Sequence, residues 1–590
     1  MIRRGLRRLR RVAGRLLRGA PEPPAKPAAH RPPTLTAVAK GRPGQEQIPP
    51  LPMLRQLDRC LRDTKARRCA VVTEPGGLEL ASLLAESWPD LGVTVLMSEQ
   101  SLEESHTQLT AAGPFDVLVD LTGAGAEQVT RWRRCFWHVR SGGRYLVADA
   151  LTAGTDTDRT QGLWCYVAGL LDVPRPEEKP VGRQAQDDLQ LAAALRSVQL
   201  DGATLVLGKR TEALPKTRER QIGTILQARP ELGTVITTLP AAPLTSAATL
   251  EVNLHDYDKR FRPVFDNPPM ALRAYRSVSC YPHQVAVSGG VLLPDTYRHY
   301  YGPRLQNRFL QEVAQDFARL KGAAARAEVR PLPGAYFYLD SEWPDHFGHT
   351  MTEQLSRLWA LPAAQQAYPE VQGLILLRGE QQTISPFQQA IFAAAGVDQV
   401  VAVRGPVRAD TLLAATPMLS NPDFMDARIA ETWARVHDSL LAQTGDRDRP
   451  DRIFCSRRPS YKRVCHNIAE VEDLAREHGY TVVFPEDHDL PEQVAMFHHA
   501  QRIAGLAGSA MFTSALCQGP RDLLILSSES YTARNEYMIA SVLGHRLEVI
   551  WCDADEKQPA VGWSGSAFSA GFTVDLARDG DRLRRWLDGY

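Results

Sequence analysis

The sequence predicts a mixed α/β protein built on parallel, doubly wound sheets, because short apolar strands alternate with amphipathic helices along most of the chain. The 590 residues are enough for about three to four domains, and the 44% hydrophobic content supports well-buried cores. The formal net charge is only +1, so the composition gives no electrostatic reason to expect nucleic acid as a partner.

The N-terminal region, residues 1–52, differs from the rest of the chain in composition. Residues 1–18 hold eight arginines and no acid, and their apolar residues recur at helical spacing. This pattern predicts a basic amphipathic helix that lies on an anionic membrane surface, with a solvated or disordered basic tail as the alternative. Residues 20–52 are rich in proline and alanine, which predicts a linker.

Cysteine usage and hydropathy bear on the location of the protein. The nine cysteines are scattered, without a CxxC pair or a Cys/His cluster, so neither a zinc site nor a secreted disulfide framework is indicated. No run approaches the length of about eighteen apolar residues that a membrane span needs. We therefore expect a cytoplasmic protein, peripheral at the inner face of the cell membrane if residues 1–18 bind lipid.

Residues 53–212 predict a first α/β domain. Asp120 comes near the end of one expected strand, and a Gly-Gly turn, Gly76 and Gly77, follows another. The expected strands lie within residues 69–77, 93–97, 115–123 and 141–149, and the expected helices at 78–88 and 128–139. Strands that alternate with helices in this way predict a parallel sheet covered on both faces.

This domain resembles the Rossmann-like class I methyltransferases through FDVLVD at residues 115–120 and HVRSGGRYLVAD at residues 138–149. The family carries a GxGxG-type loop after its first strand and a ribose-binding acid after its second. Residues 74–79 keep only the glycine pair, and Glu99 takes the place of the acid. The departure argues against S-adenosylmethionine binding, so a degenerate scaffold or partner-binding domain is expected. An active methyltransferase or a remnant nucleotide site is the alternative.

A second candidate feature follows an expected strand at residues 335–340. On a helical wheel one stripe carries His346, His349, Glu353 and Arg357, and a neighbouring stripe is apolar. A histidine and a glutamate four residues apart can hydrogen-bond, which orients the imidazole. The spacing is not that of an HExxH metal site. An edge of an active-site cleft is our interpretation, and a structural histidine–glutamate pair is the alternative.

The most informative stretch is residues 452–515, which follows a charged hinge at residues 444–452. Polar and cationic residues come just after an apolar strand, namely Ser456, Arg457, Lys462 and Arg463. A small-residue turn with Gly508 and Ser509 then opens an expected helix. Guanidinium groups bridge phosphate oxygens, and helix N-termini offer free N–H groups, so both devices bind phosphate. The stretch predicts a site for a nucleoside diphosphate.

Residues from about 250 to 560 resemble the family-61 glycosyltransferases through three elements in the family's order. The first is HFGHTMTEQLSRLW at residues 346–359, and the second is IFCSRRPSYKRVCHN at residues 453–467. The third spans residues 483–517, with Glu486, Gln493, Gly508 and Ser509 among its matches. The chain departs from the family at Ala507, where a histidine is usual, which points to altered donor choice or to an inactive copy.

The resemblance implies a GT-B-like pair of α/β domains, at residues 245–445 and 446–590. It also implies inverting transfer from a nucleotide sugar without a metal or other cofactor. The donor would then contact residues of the second domain, namely Ser456, Arg457, Arg463, Glu486, Gln493, Gly508 and Ser509. Glu486 and Gln493 would hold the base or the ribose.

An inverting transfer needs one general base for the acceptor hydroxyl and cations or helix dipoles for the departing diphosphate. His349 supported by Glu353 is the candidate base, with Asp345 and His346 as alternates. The expected function is hexosyl or pentosyl transfer to a glycan or lipid-linked acceptor in bacterial surface polysaccharide synthesis. The alternatives are a degenerate scaffold, and a methyltransferase with an accessory sugar-binding domain.

Overall fold

The computed structural model describes residues 35–40, 49–75, 77–123, 125–151, 162–172, 182–254, 260–458 and 462–589. The basic helix predicted for residues 1–18 and Gly76 of the first glycine turn lie outside these ranges. Within them no helix is both long and apolar enough to cross a bilayer. The described chain forms three large sheets with helices between them, so the predicted mixed α/β class is confirmed.

The N-terminal sheet has six strands, in the order Gly92–Met97, Arg68–Thr73, Phe115–Asp120, Val139–Val147, Thr204–Lys209 and Leu195–Asp201. The first four are mutually parallel, and the last two form an antiparallel ribbon at one edge. Along Arg68–Thr73 alternate residues enter two different cores, Val72 on one face and Val71 on the other. Both faces are therefore buried, which explains the continuous apolar runs in these strands.

Helices cover both faces of this sheet, and one of them shows how the sequence fixes a boundary. Ser101 accepts a hydrogen bond from the Glu104 N–H at 3.2 Å, and the Glu104 carboxylate accepts the Ser101 N–H at 2.9 Å. This capping box starts the third long helix. The helices are Leu35–Lys40, Leu51–Thr64, Glu79–Ser87, Leu102–Ala112, Gly125–Cys135, the 3-10 turn Phe136–His138, Leu163–Asp172 and Arg183–Ala194.

The middle sheet is mixed and has eight strands, Gly233–Leu239, Met270–Tyr281, Val285–Ser288, Val291–Leu292, Arg330–Tyr338, Gln372–Leu377, Val400–Arg404 and Val407–Ala415. Its helices are Glu219–Ala228, Leu361–Ala367, Pro386–Ala394 and Ile429–Leu441. Short elements flank it: strands Leu214–Pro215, Leu244–Thr245, Val264–Phe265, Leu310–Ala314, Phe317–Leu320, Leu419–Ser420 and Phe424–Met425, helix Gly322–Arg326, and 3-10 turns Pro230–Leu232 and Pro294–Thr296. The chain leaves Arg330–Tyr338 at its carboxyl end and runs directly into the candidate site.

The C-terminal sheet has six parallel strands, in the order Thr249–Val252, Arg546–Ala554, Asp522–Ser528, Arg502–Leu506, Arg452–Cys455 and Thr481–Val483. Phe572–Thr573 pairs antiparallel with the second of them. Its helices are Ile468–Glu477, Leu490–His499, Asn535–Leu543, Gly565–Ser569 and Gly580–Asp588, with 3-10 segments Pro485–Asp487 and Ser509–Leu516. Thr249–Val252 thus adds to this sheet from the segment predicted as residues 245–445.

The middle and C-terminal units share one apolar core. It contains Phe337 and Phe392 from the middle unit and Val494 and Met511 from the C-terminal unit, all buried. Leu355, on the predicted helix between them, is fully buried in the same cluster. The two units therefore pack directly on each other around that helix, and their GT-B-like arrangement stays a prediction.

Candidate functional site

The helix predicted to carry His349 forms in three successive geometries. It begins as an α-helical turn at Phe347–His349, continues as a π-helix at Thr350–Gln354, and ends as a 3-10 helix at Leu355–Ala360. We call residues 347–360 the site helix. π-Turns are rare and concentrate at functional sites, because they re-aim the side chains that they carry.

Glu353 orients His349, as the spacing predicted. The Glu353 carboxylate accepts a hydrogen bond from Nδ1 of His349 at 2.7 Å and from the Arg298 guanidinium, and Ser341 Oγ lies 3.4 Å away. Burial alone would raise the pKa of Glu353, but its contacts with His349 and Arg298 outweigh burial and hold that pKa well below its usual range. The carboxylate therefore stays ionised, and among the residues that the structure describes Nε2 of His349 has no hydrogen-bond partner.

Aromatic and cationic side chains hold the His349 ring from its other side. The Trp343 ring stacks on it with centroids 5.9 Å apart and planes at 11°, and the Arg308 guanidinium lies 3.7 Å from the Trp343 centroid. The ring centroids of His346 and His349 lie 4.7 Å apart. Desolvation lowers the pKa of His346, and the neighbouring His349 lowers it further. Asp345 is exposed at the turn before the helix, with a φ of 56°.

The arginine turn consists of Arg457, Arg463 and the backbone of residues 507–509. Arg457 donates to the Ala507 carbonyl at 2.8 Å, and the Arg463 guanidinium lies 4.3 Å from the centre of the Tyr531 ring. Gly508 has a φ of 136°, and a Cβ there would lie 2.7 Å from Nη2 of Arg457 and 3.3 Å from Nη2 of Arg463. Both cations thus lie directly against a turn that only glycine can form.

The site helix touches the arginine turn. A Cβ on Gly348 would lie 2.7 Å from Ser509 Oγ and 3.1 Å from the Phe512 ring, so the side chains of Ser509 and Phe512 pack directly against the Gly348 backbone. This contact brings the predicted catalytic residues and the predicted donor-binding residues, which are more than a hundred positions apart in the chain, to one place. Arg357 anchors the helix by donating to the Asp340 carbonyl at 2.9 Å.

Beside the arginine turn lies an open cavity of about 560 Å³. The cavity is lined by three residues of the predicted donor-binding set, namely Glu486, Gln493 and Ser509. Glu486 accepts the Arg458 N–H at 3.2 Å, and Gln493 donates to the His488 carbonyl at 3.0 Å. The remaining walls are mainly apolar, namely Phe347, Pro386, Phe387, Ala390, Pro485, Leu490, Pro491 and Ala510. Apolar walls with a few polar groups are typical of pockets for small ligands.

Two predicted donor contacts have other partners. Ser456 is only 1% exposed, and its hydroxyl donates to Glu472 at 2.5 Å. The Gly508 N–H donates to the Glu536 carboxylate at 2.7 Å, so it is not directed at a ligand. We therefore leave Ser456 out of the donor-binding set below and assign Gly508 a backbone role.

The sequence did not predict three residues that contact the candidate site, namely Arg298, Trp343 and Glu536. Arg298 is 55 positions from the Glu353 carboxylate that it binds. Trp343 does lie within the strand-to-helix loop that drew attention to His349, and its aromatic ring there was an unused signal. Arg298 and Glu536 carry no local signal, because their partners come from distant parts of the chain.

The carboxyl edge of the N-terminal sheet also carries a cavity, of about 450 Å³. There Glu74 accepts the Ser98 hydroxyl at 2.6 Å, and Thr73 donates to the Gly77 carbonyl at 2.9 Å. Asp120 is fully buried, and burial raises its pKa. Arg131 lies 3.6 Å from the Asp120 carboxylate. Glu99, the predicted ribose acid, is exposed and does not line the cavity.

Comparison with known proteins supports part of the predicted resemblance. Residues 347–524 match the family described as Glycosyltransferase 61. The matched segment contains the site helix, the arginine turn and the residues that line the cavity beside them. No curated protein matches the chain.

Among solved structures, the chain is similar to the MycE methyltransferase from the mycinamycin biosynthetic pathway in complex with Mg and SAH. One crystal form is 18% identical over 30% of this chain and 55% of that chain, with a TM-score of 0.25. The second is 18% identical over 34% and 60%, with a TM-score of 0.26. The chain thus spans less than two thirds of the length of these proteins. The likeness of residues 53–212 to methyltransferases stays a prediction.

Proposed function

We propose that the protein is an inverting glycosyltransferase that moves a hexosyl or pentosyl group from a nucleotide sugar to a glycan or lipid-linked acceptor. The proposal rests on one observation above all, the contact of Gly348 with Ser509, which sets the His349–Glu353 pair beside two arginines. The family match over residues 347–524 supports the same chemistry.

In this proposal the donor diphosphate binds at the arginine turn. The guanidinium groups of Arg457 and Arg463 pair with phosphate oxygens, and the N-terminal end of the 3-10 helix Ser509–Leu516 faces the same charge. The nucleoside enters the apolar cavity, where Glu486 and Gln493 supply the polar contacts to base or ribose. Cations at the leaving group stabilise the charge that develops as the sugar–phosphate bond breaks.

His349 is the proposed general base. Neutral Nε2 takes the proton of the acceptor hydroxyl as its oxygen attacks the anomeric carbon, and the bond from that carbon to the phosphate oxygen breaks on the opposite face. The electron pair of that bond leaves on the nucleoside diphosphate. Glu353 steadies the imidazolium that forms, and Arg298 and Trp343 keep the ring in place. His346 and Asp345 are the alternate bases.

The cellular setting belongs to the same proposal. A bacterial capsule, exopolysaccharide or other surface glycan is the expected product, made in the cytoplasm or at the inner face of the membrane. The N-terminal domain then acts as a scaffold, because its carboxyl edge places carboxylates where the C-terminal sheet places arginines.

The test is thermal stabilisation by UDP, GDP, CDP and S-adenosylmethionine in the wild type, Arg463→Ala and Arg584→Ala. A ligand that binds only the folded state raises the melting temperature by mass action. We expect one nucleoside diphosphate to stabilise the wild type and Arg584→Ala, whose changed side chain is exposed and pairs with Asp581. The shift should disappear in Arg463→Ala. A shift with S-adenosylmethionine alone would move the chemistry to the N-terminal domain, and no shift at all would favour a scaffold.

A further inference from the structure

Glu536 lies directly behind the arginine turn. It belongs to the first turn of the helix Asn535–Leu543, is 6% exposed, and accepts the Gly508 N–H at 2.7 Å. The family match ends at residue 524, and nothing in the sequence around Glu536 marks it as part of a site. A buried carboxylate is unexpected beside a turn proposed to bind an anion. When ionised, its negative charge would repel the negative charge of the ligand.

The charges around this carboxylate come from a few groups. Arg463 and Arg457 are the cations whose charges act on it. Tyr531 is the neighbouring phenol, and burial keeps it neutral by raising its pKa. The 3-10 helix Ser509–Leu516, on which the Glu536 helix packs, has no charged side chain. Burial raises the pKa of Glu536 to about 7, against the opposing effect of the hydrogen bonds and arginines.

We propose that Glu536 tunes the affinity of the arginine turn for the donor diphosphate by taking up a proton when the anion binds. The inference rests on the proposed function, since it needs an anion at Arg457 and Arg463. The ionised carboxylate cancels part of the positive charge that attracts the diphosphate, and the protonated form does not. The proton comes from solvent, resides on the Glu536 carboxyl while the diphosphate is bound, and returns to solvent when it leaves.

The sign of the pH dependence follows from this linkage. The anion favours the protonated carboxyl, so binding raises the affinity of Glu536 for its proton, and the proton raises the affinity of the turn for the anion by the same factor. Affinity for the diphosphate should therefore fall as the pH rises through 7. Release of the product nucleoside diphosphate is favoured on the alkaline side, which makes Glu536 a positioning and release residue.

Glu536→Gln removes the charge and keeps an oxygen that can accept the Gly508 N–H. We would titrate inorganic pyrophosphate, UDP, GDP and CDP by calorimetry at pH 7.5, in two buffers of different ionisation enthalpy. The wild type should take up a fraction of a proton more than the variant for the same ligand. At pH 8 the variant should bind about threefold to tenfold tighter, since one pKa unit corresponds to tenfold. At pH 6 the two affinities should converge.

Glu548→Gln is the matched control. Glu548 is a half-buried acid on the strand Arg546–Ala554, which follows the Glu536 helix in the chain. Burial also raises the pKa of Glu548, but its carboxylate pairs with Arg582. It should leave proton uptake and affinity unchanged. Equal proton counts and equal affinities in the wild type and Glu536→Gln would overturn the inference.

If Glu536→Gln does not fold, the wild type alone still decides. A UDP-, GDP- or CDP-linked hexose has no phosphate group that titrates near neutral pH. Any proton that is taken up from solvent when it binds must therefore go to a group of the protein. Uptake of a proton fraction that falls to zero by about pH 9 supports Glu536, and binding without proton uptake rejects it while leaving the proposed function intact. Failure of every probe to bind would instead remove the proposed function, and this inference with it.

Discussion

The N-terminal and C-terminal sheets present the same kind of edge with opposite chemistry. In both, a parallel strand ends in a turn that contains glycine, at Gly77 in one and Gly508 in the other, and a cavity lies beside the turn. The N-terminal edge carries Glu74 and the buried Asp120, neither of which lines its cavity. The C-terminal edge carries Arg457 and Arg463.

The comparison shows that backbone geometry alone does not make an anion site. A turn after a parallel strand offers N–H groups in either sheet, but the C-terminal edge adds Arg457 and Arg463, the cations proposed to bind the diphosphate. Arg131, the arginine of the N-terminal cavity, is directed at the buried Asp120 carboxylate. The site helix makes the second difference, because it brings His349, the proposed base, to the C-terminal edge.

The largest expected effect is a loss of transferase activity on substitution at the C-terminal edge and not at the N-terminal edge. His349→Ala should lower the rate of nucleoside diphosphate release from the bound nucleotide sugar by about a hundred- to ten-thousandfold, the usual contribution of a general base. Donor binding should persist, because His349 does not touch the arginine turn in this proposal. Glu74→Gln, the matched change at the N-terminal edge, should leave the rate within about twofold. A wild-type rate in His349→Ala would point to His346 or Asp345 as the base.

Alanine at the two turn glycines should sharpen the contrast. At Gly508 a Cβ meets Arg457 at a φ of 136°, so nucleoside diphosphate affinity should fall by about tenfold to a hundredfold as the guanidinium is displaced. At Gly77 the Cβ would lie 2.1 Å from Thr73 Oγ1, a local clash that should cost about 1 kcal/mol of stability and leave donor binding unchanged. Calorimetric titration and chemical denaturation of both variants measure the two effects. Equal affinities in both would break the comparison.

Two buried acids should respond to pH in opposite directions. The pKa of Glu353 is lowered in the folded protein, so its contribution to stability is present above the unfolded pKa of about 4.3 and is lost as the pH falls below that value towards the lowered folded pKa. The pKa of Asp120 is raised, so ionising it opposes folding and its protonation on acidification stabilises the fold. Denaturation of Glu353→Gln and Asp120→Asn from pH 3 to 7 tests this. Glu353→Gln should lose less stability than the wild type as the pH falls. Asp120→Asn should gain the most stability relative to the wild type at pH 7.

The smallest expected effect concerns Ser456. Its hydroxyl is buried against Glu472, so Ser456→Ala should change donor affinity by less than about twofold and cost about 1 kcal/mol of stability through the lost hydrogen bond. The same titration and denaturation measure both values. A large loss of affinity would return Ser456 to the donor-binding set.

The sequence predicted those parts of the fold and of the site that depend on local pattern. Apolar runs such as Phe115–Asp120 became buried strands, and the four-residue spacing of His349 and Glu353 produced the hydrogen bond expected of it. Local pattern does not distinguish a buried hydroxyl from one that faces a ligand, and the buried Ser456 hydroxyl donates to Glu472. The partners of Glu353 and Gly508, namely Arg298 and Glu536, depend on how distant segments pack.

The placement of Thr249–Val252 has a consequence for biosynthesis. This strand covers the edge of Arg546–Ala554, and the two segments are separated by nearly three hundred residues of chain. On the ribosome the early segment has no partner until the strand Arg546–Ala554 has been made. The C-terminal sheet therefore closes only after residue 554 has been synthesised, while the N-terminal sheet, whose last strand ends at Lys209, can form long before. A chain truncated after residue 545 would expose two unpaired strand edges at once, and we expect the cell to treat it as misfolded.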